Sequence, residues 1–255
     1  MLAFLALLAA VSTAPPPTRP ALVAFTEPES ITRLERSAHK ADFFRLSNQF
    51  ESQSNKAFCG PTSAVIVLNA LRAANDRIEK PEDPSLIPSG TKLPPGMSLV
   101  FKRYTQNDFF DARTEAVKSK AEVLGKPRNG KPDGGLQLAQ LGGMLTADGL
   151  DVKVRVADDA LADEAMRKEL VENLAAVDDY VIVNYSRAAL GQDGGGHISP
   201  LGAWDEASDS FLVLDVNPNG HTWVWVPAPA LFAAMRTKDT IQNRGYLLVR
   251  EGSKP

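Results

Sequence analysis

Between Glu29 and Phe50 the apolar residues Ile31, Leu34, Phe43, Phe44 and Leu46 recur among charged ones, the spacing of an amphipathic helix. The clearest helical stretch follows at Cys59–Ala73, with Pro61 tolerated in its first turn and Ala64, Val65, Leu68 and Leu71 on one face. Ile87–Met97 is rich in Pro and Gly and reads as an extended loop. Asn107–Leu124 reads as helix, Lys126–Gly135 as a Gly/Pro-rich loop, and Leu136–Ala147 as a short helix ending before Gly149. Val152, Val154 and Val156 then alternate as in a strand, and Asp158–Ala176 reads as a charged amphipathic helix. Beyond Asp178 the pattern changes. Short β-branched or aromatic runs at Tyr180–Tyr185, His197–Trp204, Phe211–Val216, Trp223–Val226 and Tyr246–Arg250 are separated by turn residues, which predicts a meandering antiparallel sheet. Helices first and strands second is an α+β order, with a helical part over about 21–177 and a sheet part over about 178–255 of one domain.

The start of the chain concerns address rather than fold. Leu2–Val11 is an unbroken apolar run, followed by Ser12, Thr13, Ala14 and three prolines. It is too short for the ~20 apolar residues of a membrane span and suits the apolar region of a secretory leader, with small residues for cleavage. Residues 1–20 are therefore expected to be a signal peptide and Pro-rich linker, and the protein to be exported to a periplasmic or extracellular setting. A buried N-terminal helix is the alternative. No later segment reaches transmembrane length.

Composition then narrows the chemistry. The 255 residues are 44% hydrophobic and 23% charged, the profile of a globular chain. Lys+Arg 28 against Asp+Glu 31 leaves a net charge of −3 and no basic stripe, so nucleic acid is not an expected partner. One cysteine excludes an internal disulfide framework and thiolate-rich metal sites, and three histidines leave little for a metal cage, so no tightly bound cofactor is expected.

The lone cysteine, Cys59, opens the clearest helix, where the dipole and unpaired N–H groups favour a thiolate. A buried structural cysteine is the bland alternative. Six residues earlier, in FESQSNKAFCG, Gln53 can fold back to form an oxyanion hole with the Cys59 N–H. An acyl-transferring thiolate needs an imidazole. His39 sits on a Lys/Arg/Asp-rich helical face and His221 in an Asn-Gly turn, whereas His197 opens a strand after Gly194-Gly195-Gly196. Those glycines, Gly196 nearest, leave room for substrate beside the ring. Asp215, at the end of the apolar run Phe211–Val216, is costly to bury unless paired and can orient His197.

These residues resemble the phytochelatin synthase family. The likeness rests on Gln53-x5-Cys59-Gly60, Ser63 and Val67-Leu68-Asn69-Ala70-Leu71, then on VIVNY (181–185), Arg187, Gly191-Gln192, GGHISP (195–200) and LDV (214–216), and runs from about Phe44 to Val249. It implies a papain-like cysteine peptidase fold and glutathione as substrate. Glycine is released, γ-glutamylcysteine is held as a thioester on Cys59, and the acyl group passes to water or to a second glutathione to give phytochelatin. By the same resemblance Cys59 is the nucleophile, His197 the general base and acid, Asp215 the orienting carboxylate and Gln53 the oxyanion donor. Asn184, Arg187, Asp239 and Arg244 align with residues that hold the γ-glutamyl end, although the Asp239–Arg244 interval is shorter here. Heavy-metal ions such as Cd, Zn or Cu are implied as activators through metal–glutathione thiolate substrates, and a homodimer as the assembly. By the same resemblance the protein is expected to be like the short bacterial members, without the Cys-rich extension of plant ones, in which deglycination outweighs polymer building. Two other classes remain open: a papain-like peptidase acting on another peptide, and a non-catalytic glutathione- or metal-binding protein.

Overall fold

The computed structural model describes residues 20–252 except Arg128, Pro132 and Pro218; the apolar leader lies outside the described residues. The chain enters through a two-residue strand β1 (Val23–Ala24) and, with Pro28 in the first turn, helix α1 (Pro28–Arg36). The single helix expected over Glu29–Phe50 is two, because side chains terminate the first. The Ser37 hydroxyl donates to the Arg33 carbonyl (2.7 Å), and Lys40 Nζ donates to the carbonyls of Leu34 and Glu35 (both 2.8 Å). Helix α2 (Ala41–Asn48) then begins, and α3 (Cys59–Arg72) follows as the central helix, buried along most of its length.

A second expectation is corrected over Asn107–Leu124. Two capping boxes divide that segment into one-turn helices α4 (Ala112–Glu115) and α5 (Lys120–Val123). Asp111 and Ser119 each capture the N–H groups of the following turn, and Thr114 and Glu122 reach back to the cap, so each turn is closed locally. Helix α6 (Leu138–Ala147), strand β2 (Leu150–Val156) and helix α7 (Asp163–Ala175) lie close to their expected places. Strands β3 (Asp179–Ser186), β4 (Gly196–Asp205), β5 (Ser210–Val213), β6 (Val224–Pro227) and β7 (Gly245–Glu251) follow, with helix α8 (Ala228–Met235) between the last two. Helix α8 had no distinct signal in the sequence: APALFAAM is apolar all round, so no amphipathic period marks it.

The strands form one seven-stranded antiparallel sheet in the order β1-β6-β5-β4-β3-β7-β2. Its two edges are β1 and β2, contributed by the helix-rich first part of the chain. Alternation along β3 divides the core. Tyr180 and Ile182 pack with Ala64, Ile66 and Leu68 of α3 and Leu141 and Leu145 of α6. Val181, Val183 and Tyr185 pack with Met166 and Leu170 of α7 and Leu231 and Phe232 of α8. Each fully buried Leu or Ile contributes about 2 kcal/mol of apolar burial, so helices on both faces hold the sheet. The result is an α+β molecule. Among the described residues, no helix is long and apolar enough to cross a membrane.

Candidate active site

The site lies where the start of α3 meets the start of β4. Cys59 is the first residue of α3, so its N–H has no partner within the helix and its sulfur lies at the positive end of the dipole. Close packing makes this approach possible. A Cβ at Gly60 would stand 3.0 Å from Leu136 Cδ1 and 3.5 Å from Ile198 Cδ1, so the helix start presses against both the 126–136 loop and β4. Ser63, one turn along, lies 2.8 Å from the Cys59 carbonyl and 3.1 Å from that of Ile198, tying helix to strand.

His197 enters through strand pairing: Tyr185 lies opposite His197, and Ser186 opposite Gly196. Its ring lines the same cleft as the Cys59 thiol, with which it interacts electrostatically, and through Nε2 it is hydrogen-bonded to Asp215 Oδ1 (3.0 Å). Since Nε2 faces the carboxylate, Nδ1 is the nitrogen left for sulfur. Asp215 lies just beyond β5 and is almost wholly buried. It also accepts from Arg187 Nη1 (2.7 Å) and Nη2 (2.9 Å), the Asn217 N–H (2.8 Å) and Tyr185 Oη (3.3 Å).

The protonation states follow from this chain of contacts. Burial alone would push the Cys59 thiol up. The His197 imidazole, with the Ile198 and Gly60 N–H groups, outweighs it and holds the thiol below its ordinary range. Burial likewise pushes the His197 imidazole down, but Asp215 and Cys59 together draw it above its ordinary range. Burial would raise Asp215, yet His197 and Arg187 hold it far below the usual carboxylate range. The three shifts share one cause: each group favours the charged form of its neighbour, so the thiolate, imidazolium and carboxylate forms support one another.

Beside the thiol opens a cleft of about 360 Å³, in which Asn184, Gly196, Asp239 and Arg244 face the side of Cys59 and His197. Asp239 accepts from Asn184 Nδ2 (3.1 Å) and Arg244 Nη2 (3.3 Å). Arg244 is further fixed by the Lys238 carbonyl (2.6 Å) and Thr237 Oγ1 (3.0 Å). Its buried Nε has no partner, a donor left over for a ligand. A Cβ at Gly196 would stand 2.8 Å from Arg244 Nη2, so only glycine lets the guanidinium lie across the start of β4.

Four of the expected binding residues, Asn184, Gly196, Asp239 and Arg244, are thus brought together with Cys59 and His197. Two expected residues stand elsewhere. Arg187, expected at a substrate carboxylate, makes a bidentate ion pair with Asp215, both side chains almost fully buried. Gln53 lines an adjoining cleft of about 720 Å³, which shares Lys56, Gly196 and His197 with the first, and its Nε2 donates to the Asn55 carbonyl (2.8 Å). Tyr185 escaped the sequence reading because it sits in an apolar strand; a buried tyrosine hydroxyl, which needs a partner, was its only signal. His39 and His221 lie outside this group, against Trp204 and the Asp193 carbonyl respectively. Among the described residues, no three His, Cys, Asp or Glu side chains gather as metal ligands.

Known proteins share this arrangement of sequence. The chain is 26% identical over 210 residues to glutathione gamma-glutamylcysteinyltransferase 3 of Lotus japonicus, covering 81% of this chain and 37% of that protein. It is 29% identical over 216 residues to glutathione gamma-glutamylcysteinyltransferase 1 of Triticum aestivum, covering 84% and 37%. It is 24% identical over 210 residues to the Schizosaccharomyces pombe glutathione gamma-glutamylcysteinyltransferase, covering 82% and 43%. The chain therefore spans about two fifths of the length of these relatives. The sequence profile named phytochelatin synthase matches residues 15–83 and 93–246, which takes in Cys59, His197 and Asp215, and on that match the chain belongs to the phytochelatin synthase family.

Proposed function

We propose that this protein is a papain-like glutathione γ-glutamylcysteinyltransferase whose dominant reaction is removal of glycine. One observation carries the reading. Buried Cys59 and His197, the latter hydrogen-bonded to Asp215, open together on a cleft whose Asp239 and Arg244 complement the two charges of an amino-acid end. Arg244 suits an α-carboxylate and Asp239 an α-ammonium, the pair displayed by the γ-glutamyl end of glutathione.

In the reaction, the Cys59 thiolate attacks the carbonyl carbon of the Cys–Gly bond. Negative charge develops on oxygen at the start of α3, where the Cys59 N–H is available and Gln53 supplies the second donor once its amide turns from Asn55. The His197 imidazolium gives its Nδ1 proton to the glycine nitrogen as the C–N bond breaks. The thioester left on Cys59 is attacked by water, or by the α-amine of a second glutathione, with His197 taking the proton. Asp215 keeps the ring oriented and its positive form stable throughout. Cadmium, zinc or copper ions enter as thiolate complexes of glutathione, on the substrate side of the reaction.

The test is mass spectrometry after brief exposure to glutathione. The peptide containing Cys59 gains the mass of γ-glutamylcysteine and free glycine accumulates, while Cys59→Ala shows neither. Wild-type protein that releases no glycine would overturn the proposal.

A further inference from the structure

Glutathione carries three charges at neutral pH, one ammonium and two carboxylates. Asp239 and Arg244 answer the first two. The second carboxylate belongs to the glycine that leaves, and the cleft holds one further cation near the nucleophile. That cation is Lys56, three residues before Cys59. It lines both the cleft that contains Cys59 and the adjoining one, so it stands at their junction. Its side chain is exposed, and among the described residues it has no hydrogen bond or ion pair. Among the described residues that line these two clefts, the other Lys and Arg side chains are engaged: Arg187 by Asp215, Arg244 by Asp239 and the Thr237–Lys238 segment.

We propose that Lys56 is a specificity-determining residue that receives the C-terminal carboxylate one residue beyond the scissile bond. This rests on the glutathione reading for the substrate, and on the geometry alone for the placement of charge. One residue spans about 3.5 Å, so a carboxylate at that position lies on the leaving-group side of Cys59, within reach of a flexible lysine at the junction of the two clefts. A longer peptide would put a neutral amide there and lose the contact. The site would thereby act on a terminal residue and discriminate against internal peptide bonds.

The experiment compares kcat/KM for glutathione and for its C-terminal amide in the wild type, Lys56→Ala and Lys56→Arg. The wild type is expected to prefer the free acid by about fivefold, the upper range for an ion pair open to water. Lys56→Ala loses that preference and Lys56→Arg keeps it. In parallel, the rates of Cys59 alkylation by iodoacetate and by iodoacetamide are measured on the same proteins. Their ratio falls in Lys56→Ala if the ammonium stands beside the thiolate. An acid-over-amide preference that survives Lys56→Ala unchanged overturns the proposal. If the wild type does not turn over glutathione, the functional reading fails, and the alkylation ratio alone decides: a fall supports the lysine's role and an unchanged ratio ends it.

Discussion

Two aspartates buried to the same depth have opposite characters. Asp215, beyond β5, and Asp42, in the first turn of α2, are 3% and 1% exposed. Around Asp215 the fold gathers an imidazole, a guanidinium, a backbone N–H and a phenol, and the carboxylate is held far below its usual range. Around Asp42 the neighbouring charges are Asp179, Arg45 and Asp178. Its buried Oδ2 has no partner, and its pKa is pushed up to about 9, chiefly by burial. Arg45 does not neutralise Asp42 because it is paired with Asp178 on the surface. Burial by itself therefore produces a protonated acid; an ionised one inside the molecule needs donors already in place. Only the second kind can sustain a thiolate–imidazolium pair.

The largest effect expected from breaking this contrast is catalytic. Asp215→Asn replaces an acceptor with an amide that can impose the wrong tautomer on His197, and should lower kcat by about 10³-fold or more. Glycine release in steady-state assays checks it, with retained α+β circular dichroism as the control. Next in size is Arg187→Met, which removes the one guanidinium from Asp215 and leaves it His197, the Asn217 N–H and the Tyr185 hydroxyl. Removing one partner of a buried ion pair should destabilise by about 3 kcal/mol, read as a lower urea midpoint at pH 7. The sign with pH follows from the depressed Asp215 pKa. Its contribution is present above the unfolded pKa of about 4 and is lost as pH falls through the folded value, so the variant's deficit should shrink in acid.

Asp42→Asn sharpens the comparison from the other side. The Asp42 pKa is raised, so its favourable contribution is complete below about pH 4 and declines as pH rises towards the folded value near 9. The variant should thus match the wild type in urea melts at pH 4 and exceed it by more than about 1 kcal/mol at pH 8, since ionisation in the unfolded chain no longer counts against folding. A variant weaker than the wild type at pH 8 would show that Asp42 has a compensating partner.

The candidates that the fold brings together were legible in the sequence because such residue types are scarce in it. With one cysteine, three histidines and a carboxylate inside an apolar run, elimination led to Cys59, His197 and Asp215. The contrast between Asp42 and Asp215 was not legible, since both are aspartates among apolar residues. Arg187 was misplaced for a related reason. Its type announces a carboxylate partner, but whether that carboxylate is the substrate's or Asp215 depends on how β3 and the segment after β5 meet. Helix breaks after Arg36 and Glu115 were hidden because capping depends on side-chain geometry within a turn, and α8 because uniform apolarity carries no period.

The sequence by itself determined the α+β order, the helix that begins at Cys59, and the candidates for nucleophile, base and carboxylate, because each is a property of residue type and local spacing. Tertiary structure alone decided which donors surround each buried acid, which residues share the cleft, and that Lys56 lines both clefts. Those features arise where separate elements meet, from Arg187 and Asp215, 28 residues apart, to Cys59 and His197, which come from the helix-rich and the sheet-rich parts of the chain. Electrostatic energies depend on distance in space and on exclusion of water, neither of which has a local signature in the chain.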